Sequence, residues 1–163
     1  MNYAAITKQD MLNGDGIRVT LWVQGCSRYC VGCHNPETWD RCLGHPWTEE
    51  SEKELFEALD KDYISGITYS GGHPLEEYNI ETIIDVAKNI KEKFPNKTQW
   101  LYTGFIWEEV KDLEIMKYID VLVDGPYIDE QRDISLKWRG SSNQRVIDVQ
   151  KSLELNQIVL YCD

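Results

Sequence analysis

Cys26, Cys30 and Cys33 stand in a C-x3-C-x2-C spacing within Val23-Gln24-Gly25-Cys26-Ser27-Arg28-Tyr29-Cys30-Val31-Gly32-Cys33-His34-Asn35. Thiolates this close in sequence can serve one metal centre. Their number is informative. A cluster kept for structure or electron transfer takes four cysteine thiolates, so a [4Fe-4S] cluster held by three leaves one iron open to a substrate. The same residues also suit a zinc site completed by His34 or by Cys42, because Cys3His sites are common. Adjacent Cys33 and His34 would strain a closed tetrahedron, which favours the cluster, but spacing alone leaves both open. Two further stretches bear on chemistry. Gly71-Gly72, followed by His73-Pro74, lets a ligand approach the backbone closely and offers amide and carbonyl groups to it, or is a plain turn. Asp124, before Gly125-Pro126, suits a ribose hydroxyl, a cation, or the capping of a turn. Arg139, Asn143 and Arg145 suit a carboxylate or belong to a surface loop.

The elements that must position these residues follow from periodicity. Arg18-Val19-Thr20-Leu21-Trp22-Val23 reads as a buried strand launched by the Asn13-Gly14-Asp15-Gly16 turn, so the cysteine loop begins where that strand ends. Thr48 caps an expected helix over 49–59, whose Glu residues form a solvated face. Strands are expected over 64–69, 99–102, 119–123 and 146–149. Ile80, Ile83, Ile84, Ala87, Ile90 and Phe94 mark a second helix stopped by Pro95, and a third is expected over 107–116. A long polar stretch, 127–137, precedes the strand over 146–149, and the tail has a brief helix or turn near Ser152 and an apolar run over 158–161. Strands alternating with helices imply crossover connections and a mostly parallel sheet. A closed barrel needs about 250 residues. The expected fold is therefore an α/β, open and incomplete (βα) barrel in a single domain over 1–163. The cysteine loop, Gly71-Gly72, Thr103-Gly104 and Asp124-Gly125-Pro126 each follow an expected strand, which puts all four on the active-site edge of such a fold.

Composition narrows the function classes. A formal net charge of −11 leaves no basic face for phosphates and speaks against nucleic-acid binding. No apolar run reaches membrane-spanning length and Met1–Ile6 lacks a signal-peptide layout, so no membrane association and a cytoplasmic location are expected. Five cysteines, three of them in one loop, do not suit a secreted disulfide framework. Cys42 and Cys162 are most simply incidental thiols.

The cysteine loop resembles that of the radical S-adenosylmethionine (SAM) superfamily, in which three cysteines hold a [4Fe-4S] cluster and the open iron is chelated by the SAM amino and carboxylate groups. Asn13-Gly14-Asp15-Gly16-Ile17-Arg18-Val19-Thr20, Cys-x3-Cys-x-Gly-Cys-x-Asn with Thr38-Trp39, Ser70-Gly71-Gly72, Tyr102-Thr103-Gly104, Val123-Asp124-Gly125-Pro126 and Arg139-Gly140-Ser141-Ser142-Asn143-Gln144-Arg145 together are similar to the glycyl-radical activases that serve anaerobic ribonucleoside-triphosphate reductases. The resemblance covers nearly the whole chain. It implies that Cys26, Cys30 and Cys33 ligate the cluster, with no further catalytic side chain. It implies that Gly32, Cys33, His34, Gly71, Gly72, His73 and Asp124 surround SAM. The radical SAM fold, a flavodoxin-like or other one-electron donor and the glycyl-radical loop of the large reductase subunit are implied with them. The chain departs from the pattern twice, with His73 where an acidic residue is usual and Gly32 where an aromatic is frequent. The alternatives are a radical SAM enzyme acting on a small molecule and a zinc-stabilised interaction module.

Overall fold

The computed structural model describes residues 1–163. In chain order come β1 (Asn2–Asp10), β2 (Arg18–Val23), β3 (His45–Pro46), α1 (Glu49–Leu59), β4 (Gly66–Gly71), α2 (Glu77–Lys93), β5 (Thr98–Tyr102), α3 (Trp107–Val110), β6 (Val121–Asp124), β7 (Arg145–Asp148), α4 (Val149–Leu155) and β8 (Leu160–Cys162). All eight strands form one open sheet in the order β3-β1-β2-β4-β5-β6-β7-β8.

This corrects the expected (βα) barrel. Only β2–β4, β4–β5 and β5–β6 pair in parallel, whereas β1–β2, β1–β3, β6–β7 and β7–β8 are antiparallel, so the sheet is mixed. The physical reason lies in the connections. A parallel neighbour needs a crossover that carries the chain back along the sheet, usually as a helix. Residues 125–144 hold no α-helix, only a short 3-10 turn at Asp129–Gln131, and the chain re-enters the sheet as β7 running against β6. At the other edge β1 and β2 form a hairpin. Sequence periodicity misses β1 because most of its residues are half-exposed, with only a weak apolar alternation.

Side-chain alternation divides the sheet into two faces. Val19, Leu21, Val23, Ile67, Tyr69, Leu101 and Leu122 belong to the main core, which is completed by Leu55 and Leu59 of α1 and by Ile83, Val86, Ala87 and Ile90 of α2. Trp100, Val121, Val123 and Val146 make a smaller cluster with Tyr102 and Trp138. The helices form for local reasons. The Thr48 hydroxyl accepts from the Ser51 amide, while Ser51 Oγ accepts from the Thr48 amide, and Glu49, Glu50 and Glu52 lie at the positive end of the α1 dipole. α1 spans the residues expected for it. The helix expected over 107–116 is instead α3 followed by a 3-10 turn at Glu114–Lys117. No helix is long and apolar enough to cross a membrane.

Candidate metal centre

The four central strands run in parallel, so their C-terminal ends share one rim. Val23 of β2 pairs with Gly71 of β4, and Tyr102 of β5 with Val123 of β6. The cysteine loop, Gly71-Gly72, Thr103-Gly104 and Asp124-Gly125 therefore leave the same edge, where α/β sheets bind ligands.

The cysteine loop is stitched down at its base. The Gly25 amide donates to Thr38 O at 2.7 Å and the Cys26 amide to Trp39 O at 3.1 Å. Within it, the Cys33 amide donates to Cys30 O at 3.1 Å, and the Asn35 amide to Cys33 Sγ at 3.4 Å. All three thiols are free and half-buried. No three His, Cys, Asp or Glu side chains are drawn together here as a set that could hold a metal ion. Burial pushes the Cys26 thiol up against a backbone hydrogen bond from Arg28, and Glu76, Cys30 and Cys33 add to the rise. A bound cationic centre reverses this effect and draws the proton off. Both residues considered as a fourth zinc ligand are exposed. His34 is exposed with its ring 5.6 Å from that of Tyr127, and Cys42 is exposed on the turn before β3, its carbonyl accepting from Asn2.

Gly72 brings the second motif against the first. The Gly72 amide donates to Val23 O at 2.8 Å and the His73 amide to Gly25 O at 2.7 Å. A Cβ on Gly72 would lie 2.4 Å from Gly25 O and 2.9 Å from Thr38 O, so only glycine allows the turn and the loop base to touch. The Gly72 carbonyl accepts no hydrogen bond within the protein. His73 is 2% exposed and faces inward. Its Nε2 lies 2.8 Å from Thr103 Oγ1 and accepts from the Gly104 amide at 3.3 Å, which assigns the proton of the neutral ring to Nδ1. Nδ1 sits 3.5 Å from Glu76 Oε1, too poorly aligned for a hydrogen bond. Burial holds the His73 imidazole below its ordinary value, against the pull of Glu76.

Two contributors escape sequence reasoning. Glu76 accepts from the Ser27 amide at 2.8 Å and from Ser27 Oγ at 2.7 Å. Burial raises the Glu76 carboxyl, but the two Ser27 bonds and His73 outweigh it and hold the group below its usual range. Fully buried Asn79, in the first turn of α2, donates to Gln24 O at 3.0 Å and His73 O at 3.1 Å, joining the two motifs. The available signal was an acidic residue and an amide placed at the start of the helix that follows Gly71-Gly72.

Gly32 and Asp124 each also make contacts that hold the fold together. A Cβ on Gly32, whose φ is +74°, would meet Asp129 Oδ1 at 2.5 Å and Tyr127 at 3.3 Å, so this glycine lets the loop after β6 close on the cysteine loop. Asp124 is buried and fully engaged. It accepts from the Trp107 amide at 2.7 Å and from Arg145 Nη2 at 2.5 Å and Nε at 3.1 Å. This pairing raises the Arg145 guanidinium above its ordinary value. Arg139 Nη1 donates to Gln144 O and Asn143 Nδ2 to Pro126 O, which ties the loop after β6 to itself.

Buried polar atoms without a protein partner gather at this rim: Gln24 Oε1, Trp39 Nε1, His73 Nδ1 and Asn79 Oδ1 around the two motifs, and Arg139 Nε and Asn143 Oδ1 in the loop after β6. Such atoms are costly to bury unless a further partner satisfies them.

Residues 12–147, which include this thiol-bearing loop, match the family described as "4Fe-4S single cluster domain", and that match sets the class, the iron–sulfur proteins. Relatives carry that class further. The chain is 44% identical over 148 residues to the anaerobic ribonucleoside-triphosphate reductase-activating protein of Enterobacteria phage T4, covering 90% of this chain and 93% of the relative. It is 40% identical to the protein of that name from Vibrio cholerae (88% and 96% covered) and 39% identical to that of Escherichia coli K12 (90% and 97%). The chain belongs to the family of anaerobic ribonucleoside-triphosphate reductase-activating proteins.

Proposed function

We propose that the chain, acting as one domain over 1–163, activates the large subunit of an anaerobic ribonucleotide reductase by radical SAM chemistry. The observation that carries this is the loop after β2, which offers three free thiols and no fourth, beside a turn whose Gly72 carbonyl is unbonded. Cys26, Cys30 and Cys33 would hold a [4Fe-4S] cluster. A cluster held there would supply the one-electron reductive cleavage of SAM, with the electron coming from an external donor, that hydrogen abstraction from a glycine of the reductase requires. The unbonded Gly72 carbonyl would accept from the ligand ammonium. His73, turned into the fold, supports the Thr103-Gly104 turn rather than reaching outward. Asp124 holds β6 to Arg145 and α3. The protein's work is thus to orient the ligand and exclude water, with no side-chain acid or base. A flavodoxin-like or other one-electron donor would supply the electron, and we read the reaction as a cytoplasmic one.

The test is anaerobic purification with iron, sulfide and zinc analysis, followed by reduction with SAM in the presence and absence of the reductase. About four irons per chain are expected, with 5′-deoxyadenosine and a glycyl radical forming only with the reductase. Zinc alone would sink the proposal, and turnover without the reductase would point to a small-molecule substrate.

A further inference from the structure

Glu76 occupies the N-cap position of α2, yet its side chain makes no capping bond. Glutamate is a poor cap, and this one reaches the other way, across the rim to Ser27. Its two bonds there are the only hydrogen bonds from residues 27–32 to protein outside the cysteine loop. Every other tie of the loop lies at its base, at Gly25 and Cys26, or inside it. Arg28 and Tyr29 add only ring contacts, Arg28 over Phe105 and Tyr29 edge-on to Trp39.

The charge is equally unusual. The Glu76 side chain is 14% exposed and bonds to no Lys or Arg. Its one ionisable neighbour of opposite tendency is His73, a neutral ring with the proton on Nδ1. A nearly buried carboxylate is costly unless compensated, and the groups it faces are Ser27 and the cysteine loop.

Resting on the cluster assignment above, we propose that Glu76 is a positioning residue for the metal centre: through Ser27 it fixes the segment between Cys26 and Cys30, and it holds an uncompensated negative charge beside the cluster. Outer-shell partners of this kind govern both metal retention and potential. A fixed anion disfavours the reduced, more negative cluster, so Glu76 lowers the reduction potential.

Full-length protein, purified anaerobically with its cluster, distinguishes the two effects. Glu76→Gln keeps an oxygen for Ser27 but removes the charge: iron content stays at the wild-type level, and the midpoint in an EPR-monitored redox titration moves positive. Glu76→Ala removes the clamp, and iron release to a chelator quickens by about tenfold or more. Ser27→Ala, which keeps the loop backbone and the charge, gives a smaller rise in release with an unchanged midpoint. It serves as the clamp test if Glu76→Ala does not fold. An unchanged midpoint in Glu76→Gln, or wild-type iron release in the clamp variants, overturns the proposal. Wild-type protein without iron is a different failure, that of the cluster assignment itself.

Discussion

Arg18 and His73 are both buried polar residues, one at each end of the central parallel strands, and they are treated in opposite ways. Arg18, at the start of β2, has every donor used: Nε to Thr68 Oγ1, Nη1 to Asp15 O and Thr98 Oγ1, Nη2 to Ile67 O and Thr98 O, all between 2.7 and 3.1 Å. It also stacks over Trp100. Burial lowers its guanidinium to about 10, but the group stays charged at neutral pH with neutral oxygens around it. His73 instead keeps a buried nitrogen without a partner, as do five other side-chain atoms in the segments that crowd its rim. One end of the sheet is closed to satisfy its own polar groups, and the other is left incomplete around the cysteines. A cavity of about 450 Å³, lined by Asp15, Thr98, Trp100, Asp120, Asp148 and Tyr161 among others, lies at the closed end, away from the cysteines.

Three experiments break or sharpen this contrast. Arg18→Met should have the largest effect, since several buried acceptors lose their donor at once. A loss of about 3 kcal/mol in urea unfolding is expected, with unchanged iron per folded chain; loss of iron at equal folding would mean that the two ends are not separate. Gly72→Ala should cost less, roughly 1–3 kcal/mol, because its Cβ would force Gly25 and Thr38 carbonyls away. Here iron retention should fall, and a variant that keeps its iron would show that contact between turn and loop is dispensable. The smallest effect is in pH. His73 has its folded value lowered, so the unfolded chain binds the proton more readily. Its contribution is complete above about pH 6.5 and is lost as acid charges the unfolded imidazole and then, lower still, the buried ring. Wild type should therefore lose stability relative to His73→Gln on acidification below that point, and parallel curves would show that His73 titrates normally.

Local signals were legible where one residue decides a boundary. Thr48 announces α1, and the three-cysteine spacing announces the centre. The shared rim was legible too, because each motif follows a parallel strand. The sheet's outer strands were not, since β3 and β8 have two and three residues and β1 has no clean alternation. Their direction depends on the absence of a crossover helix, a property of a whole connection. Asp124 and Glu76 illustrate the limit at the site. One carboxylate is consumed by Arg145 and the Trp107 amide, and the other is diverted from its helix to Ser27, and nothing local in either segment distinguishes them.

Asn79 has a mechanical consequence. One amide group on the first turn of α2 grips the backbone on both sides of the gap between the cysteine loop and the glycine turn. A partner that leans on α2 would tilt both jaws together, like a tool turned by its handle, and their separation would survive the push.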